Sequence, residues 1–301
     1  MRSILFFAML LPALLWAQEG GRLSFEKFGN FRNTTTLVVL YDTTPGYNEA
    51  IQQVFRQSWN ITPYRFIQEN ELLRYASDEA YSMIVRDNSE KTHSRTSGTT
   101  LIRRNHLAIY PCGKGAPLKN YGGKEAVAQF RMVNIDLVAD YTHLVPLLVR
   151  TMQQYLRFLE QETLTEDNFE TKFEYFRNAQ VGKLASMRLL IDAGTLSADL
   201  VDEAALRAAY TYDFERVETG AMADELAPAP ADAALLYLSP DGTDLYVIGI
   251  AEGEILYHAY RSADTPLQAA DLEKIASAVA TPPQLKLSVK ERMNKFFGVD
   301  E

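Results

Sequence analysis

Cysteine is nearly absent from this chain. A single thiol, Cys112, in 301 residues cannot close an internal disulfide, so the fold must rest on core burial rather than on covalent staples. Histidine is scarce as well. His93, His106, His143 and His258 are the whole set, no two of them sit at an i, i+4 zinc-ligand spacing, and no HExxH or Cys/His cluster occurs. There is no G-x-S-x-G elbow. "THSRTSG" places Ser94 beside His93, but such neighbours are common in a polar loop and do not make a nucleophile–base pair. Positive charge is in deficit, with 30 Lys and Arg against 39 Asp and Glu and a net charge of −9. That balance argues against non-specific nucleic-acid binding. No cofactor motif is present, and none is expected to be bound.

Long apolar runs are confined to the start. "MRSILFFAMLLPALLWA", residues 1–17, has one basic residue, an apolar stretch and a small residue before "QEGG", the pattern of a secretory signal peptide cleaved after Ala17. Its apolar part is short for a membrane span, so a retained anchor is the lesser reading. Cleavage would remove only Arg2, leaving −10 and a periplasmic or secreted chain. With no Cys at the cleavage site, a lipid anchor is not expected.

The full chain is 47% hydrophobic and 23% charged, ordinary for a globular protein with room for two domains. "TTTLVVLYDTTPGYNEAIQQVFRQSW" opens with a β-branched strand over 36–41, turns at Asp42, Pro45 and Gly46, and continues with Ala50, Ile51, Val54, Phe55 and Trp59 at helical spacing. The strand "YRFI", a short helix over 70–75 and the strand "AYSMIVRD" follow, giving the order β-α-β-α-β. About 150 residues on, "SMRLLID", "DLVDEAALRAAY", "YDFERV", a helix starting near Met222 and "AALLYL" repeat that order, with Val217 in the place of Ile67 and Met222 in that of Leu72. Asp192, which ends the first strand of this copy, reads as the counterpart of Asp42 in the other. Each copy then runs into antiparallel strands: "TLIRRNHLAIYPC" in the first, and a meander over 235–238, 245–251 and 255–260 in the second. Few residues are identical, and matched apolar positions arise in many βαβ units, so internal duplication and chance both remain open.

The expected class is α/β, two tandem β-α-β-α-β-type modules with mixed sheets. The first module spans 22–135, a helical connector 136–180, the second module 181–281, and 282–301 form a tail with a short amphipathic helix. The connector reads as one long helix over 136–161, roughly 39 Å at 1.5 Å per residue. Apolar stripes through Leu144, Leu148, Met152, Tyr155 and Leu159 and through Val145, Val149 and Leu156 should be sandwiched between modules or between subunits, a route to a homo-oligomer. Pro146 should kink this helix or mark its start. A second helix lies in "TEDNFETKFEYFRNAQVGKL", with Thr165 as its N-cap.

Candidate ligand-binding residues are few. "PCGKGAPLKNYGGKEA" combines bare glycine backbone with Lys114, Lys119 and Lys124 and can be read as an anion-binding loop or as a solvated hairpin loop; it does not match the P-loop pattern. Asp42 and Asp192 lie at the strand ends where α/β proteins bind ligands, although aspartates there also serve as turn and cap residues. Cys112, closing "HLAIYPCG", reads as a small core residue rather than a reactive thiol.

The signal peptide together with "TTLVVLYDTTPGYNEAIQQVF", "YRFI" and "ALLYLSPDGTDLYVIGIAEGEILYHAY" resembles secreted, uncharacterised proteins of Bacteroidetes-type bacteria. The β-α-β-α-β order is similar to that of the N-terminal domain of TolB and of the periplasmic α/β module of curli-secretion lipoproteins. The resemblance implies an interaction module of the cell envelope and carries no catalytic residue. The expectation is a non-enzymatic periplasmic protein that binds a protein or envelope component. A small-ligand binder, with an anion as one candidate, and a hydrolase of unrecognised type are the alternatives.

Overall fold

A computed structural model describes residues 25–95, 98–113, 126–132, 142–161, 164, 169–239, 242–263 and 265–284. The signal-peptide segment, the lysines of 114–124, Thr165 and the tail beyond 284 therefore lie outside the described residues.

The first unit begins with α1 (Phe25–Arg32) and continues as β1 (Thr35–Leu40), α2 (Pro45–Ser58), β2 (Tyr64–Gln68), α3 (Leu72–Tyr75), β3 (Tyr81–Arg95), β4 (Gly98–Pro111), β5 (Ala128–Met132) and α4 (Val145–Leu159). After α5 (Phe169–Phe176), the second unit runs β6 (Arg188–Asp192), α6 (Glu203–Ala209), β7 (Phe214–Val217), α7 (Met222–Leu226), β8 (Ala233–Leu238), β9 (Asp244–Gly249), β10 (Ile255–Tyr260) and α8 (Ala269–Ala280). The chain is an α/β protein with two mixed five-stranded sheets. No helix among the described residues is long and apolar enough to cross a membrane.

The sheets share one strand order. The first is β2-β1-β3-β4-β5, and the second, read from its far edge, is β7-β6-β8-β9-β10. In each, the first strand lies parallel to the second and third, and the remaining pairs are antiparallel. Ile67, next to last in β2, and Val217, last in β7, both lead through a 3₁₀ turn into a short helix opening at Leu72 or Met222. The ladder corrects the expected match of Asp192 with Asp42: Ile67 pairs with Val39, whereas Val217 pairs with Asp192. Asp192 is thus the counterpart of Val39, three positions short of Asp42.

Crossovers that run in opposite directions across a sheet put their helices on opposite faces when both are right-handed. The second sheet obeys this. Leu206 and Ala209 of α6 join Leu189, Ile191, Leu236 and Val247 on one face, while Met222 and Leu226 of α7 join Leu190, Leu235 and Ile248 on the other. Each unit then closes with a helix beside its first crossover helix: α4 packs on α2, and α8 on α6.

Helix α4 begins at Val145, nine residues later than the spacing predicts. Pro146 sits in its first turn, where a missing N–H costs nothing, and a 3₁₀ turn over Thr142–Leu144 leads into it. Residues 136–141 lie outside the described residues. Eleven of the fifteen residues of α4 are buried, including Leu148, Met152, Tyr155 and Leu159. Toward the first unit, Gln153 accepts from the Asn60 N–H (3.2 Å) and donates to Ser58 Oγ (3.3 Å). Toward the second, Arg150 donates to the Ile250 carbonyl (3.1 Å) and Gln154 to that of Glu252 (3.0 Å). One continuous core runs from Val38 and Phe55 through Leu148 and Met152 to Leu190, Leu235 and Ile255. Of the two coverings expected for 136–161, both modules or a second subunit, the described helix shows the first: the chain covers it from both sides.

Apart from residues 96–97, which lie outside the described residues, the polar "THSRTSG" is strand rather than loop. The β3–β4 ladder continues through His93↔Thr100 to Arg95↔Gly98, well past the reach of β1 and β5, as a two-stranded ribbon rich in β-branched threonine.

Candidate functional site

The sequence-derived candidates do not converge. Lys114, Lys119 and Lys124 lie outside the described residues. Asp42 is exposed beyond the end of β1. Asp192, on the other sheet, is a turn residue whose carboxylate accepts from the Gly194 N–H (2.9 Å) and from Thr219 Oγ1 (2.6 Å). Cys112 is buried, and burial, with Asp78 adding to it, pushes its thiol up to about 12. It is therefore a protonated core group at neutral pH. Among the described residues no group of three or more His, Cys, Asp or Glu is placed to hold a metal ion.

The first sheet does build a surface, along its outer strand β2. Alternation sends Arg65 to one face and Tyr64 and Phe66 to the other. On the first face the Arg65 guanidinium lies over Tyr75 (4.7 Å) and Tyr81 (5.7 Å), rings that meet edge to face at 5.2 Å. Arg74 approaches Tyr75 from α3 (5.5 Å). On the second face Arg56 of α2 lies over Phe66 (5.5 Å), and Phe66 meets Tyr64 at 5.5 Å. Tyr64, Phe66, Tyr75 and Tyr81 are all half-buried, and Leu73 beside them is 74% exposed, the most exposed large apolar side chain described. Three cations are thus held on aromatic faces around a sheet edge whose outer side pairs with no other described strand. Sequence reading missed this because the rings and cations come from four elements.

A second cluster is internal. His258 on β10 and Asp244 on β9 are almost fully buried, with His258 Nε2 and Asp244 Oδ1 3.0 Å apart. Around them Tyr246 packs on the imidazole (4.5 Å) and Tyr260 meets it edge-on (4.7 Å). Arg177, 4% exposed, donates to Tyr260 Oη (3.1 Å) and pairs with Glu174. Burial lowers the His258 pKa from its ordinary 6.5; the hydrogen bond to Asp244 raises it in part, and the charge of Arg177 lowers it further. The folded imidazole is neutral at pH 7 and donates Nε2–H to the carboxylate. The unfolded chain takes up this proton more readily, so the stabilisation is complete above pH 6.5 and is lost as pH falls below it. Denaturant titrations above and below pH 6.5 should therefore show wild-type stability falling on acidification, and His258→Gln should fall less. Equal slopes in the two proteins would remove His258 as the cause.

These features define a mixed α/β protein of two like-ordered units, with an arginine–aromatic sheet edge and a buried His–Asp pair. Comparison of the chain with protein-family models, with curated proteins and with solved structures gives no match.

Proposed function

We propose that the protein is a non-enzymatic binding protein of the bacterial cell envelope that engages a protein or envelope component along β2. The observation that carries this reading is the open β2 edge flanked by Arg56, Arg65 and Arg74 on Tyr64, Phe66, Tyr75 and Tyr81. An outer strand offers backbone donors and acceptors to an added strand. Arginine and tyrosine dominate binding hot spots, and side chains already held on neighbouring rings lose less freedom on binding. The signal-like residues 1–17 support a periplasmic or secreted setting, and the strand order allows a fold-level analogy with envelope interaction modules.

The test is photo-crosslinking in cells with a reactive residue in place of Leu73. A discrete adduct is expected, lost with Arg65→Glu and retained with a charge change on the far unit such as Glu203→Lys. Absence of any adduct at position 73, or one indifferent to Arg65, would sink the reading.

A further inference from the structure

A polar corner forms where β1 ends beside β3, on the α2 face of the first sheet. Asn48 staples the turn there, with Nδ2 donating to the Tyr41 carbonyl and Oδ1 accepting from the Tyr41 N–H, both at 2.9 Å. The Tyr41 hydroxyl accepts from the Arg86 N–H (2.9 Å), and the Arg86 side chain donates Nη1–H to Thr44 Oγ1 (3.0 Å). The guanidinium lies over the rings of Tyr41 (5.2 Å) and Tyr47 (5.7 Å).

Four donors in this corner lack an acceptor among the described residues. Thr44 is the N-cap of α2 but makes no side-chain bond to the helix amides, and Pro45 supplies no N–H. That leaves the amides of Gly46 and Tyr47 open. Arg86 Nε is buried and unpartnered, and so is the hydroxyl of Tyr47, a residue only 4% exposed. Burial, with Tyr41 adding to it and Arg86 opposing, raises the Tyr47 phenol well above its ordinary range, so it remains a donor at neutral pH.

The electrostatics are one-sided. The first turn of α2 holds no acidic residue, and Arg86 makes no ion pair with any described carboxylate. A guanidinium thus stands beside the positive end of a fourteen-residue helix with nothing to balance either. At the same end of the second sheet the balance is built in, because Asp192 supplies a carboxylate to Gly194 and Thr219. The ladder puts Leu238 there in the place of Arg86.

We infer that this corner of the first unit binds an oxyanion, the phosphate or carboxylate group of a small molecule, between Arg86, Tyr47 and the first amides of α2. The anion takes the role that Asp192 plays within the second unit. It bridges the helix terminus and the guanidinium, and it accepts from groups that are otherwise buried without partners. The site lies on a different strand from the β2 surface and stands independently of it.

Backbone-amide NMR on the full chain tests this, with inorganic phosphate and acetate as probes and chloride at matched ionic strength as reference. One of the two probes should shift the Gly46 and Tyr47 amides saturably, and the one that saturates at lower concentration identifies the head group. The Gly194 amide, already bonded to Asp192, should stay still. Arg86→Gln should weaken binding by about tenfold or more, the loss of one charge-assisted hydrogen bond. Tyr47→Phe, which keeps the ring and so guards against a folding defect, should also weaken it. The inference is overturned if neither probe moves Gly46 and Tyr47, if Gly194 moves equally, or if both variants bind as the parent does.

Discussion

Leu148→Ala is expected to destabilise the protein by about 2–5 kcal/mol, the range for deleting a buried leucine and leaving a partly unfilled cavity. Leu148 is 1% exposed on α4 and belongs to the core shared by both sheets. The site has little room to collapse, because α2 bears on the helix from one side while Ile250 and Glu252 are hydrogen-bonded to it from the other. Gln154→Ala on the same helix gives up one exposed hydrogen bond and should cost at most about 0.5–1.5 kcal/mol. Denaturant titration of the two variants decides the matter: comparable losses would show that α4 is not the central packing element.

Gly253→Ala should rival it. Gly253 turns the chain between β9 and β10 at φ +68, a left-handed backbone that costs other residues about 1–2 kcal/mol. A Cβ there would also lie 2.5 Å from the Thr151 amide nitrogen and 2.6 Å from the Arg150 carbonyl carbon. Both are helix backbone and cannot rotate away, so the turn must lift off α4, adding an overpacking cost of about 1–3 kcal/mol. Gly220→Ala meets nothing within 4 Å and should leave the melting temperature unchanged. A Gly253→Ala protein that melts with the parent would mean that the turn and the helix are not in contact.

The α/β class and the order of each unit's first three strands could be read from the chain, because runs such as Thr35–Leu40 and Ala233–Leu238 are buried almost throughout and so are apolar almost throughout. The buried stripe of α4 was equally plain. Elements with low contrast were missed. Five of the twelve residues of helix α8 are alanine, around Leu272, Ile275 and Val279, although a capping box of Gln268 and Asp271 marks its start. Strand β5 is five residues long and draws its identity from pairing with β4. The candidate sites were the least accessible. Arg86 meets Thr44 across 42 positions, and Arg177 reaches Tyr260 across 83; no local pattern encodes such meetings. Lone aspartates after strands drew notice instead, and Asp192 turned out to satisfy its own turn.

A ribosome makes α4 before it makes any strand of the second sheet. A nascent chain that stops near residue 160 would hold a helix built to be covered twice and covered once, with the side meant for Leu235, Ile248 and Ile255 facing water or another chain. Such a fragment exposes apolar side chains there, with Arg150 and Gln154 stripped of their carbonyl partners, and should clump rather than persist as a soluble half. Cutting the gene between the units would not yield two proteins. The two sheets are inherited, translated and melted as one object, despite the repeat in their wiring.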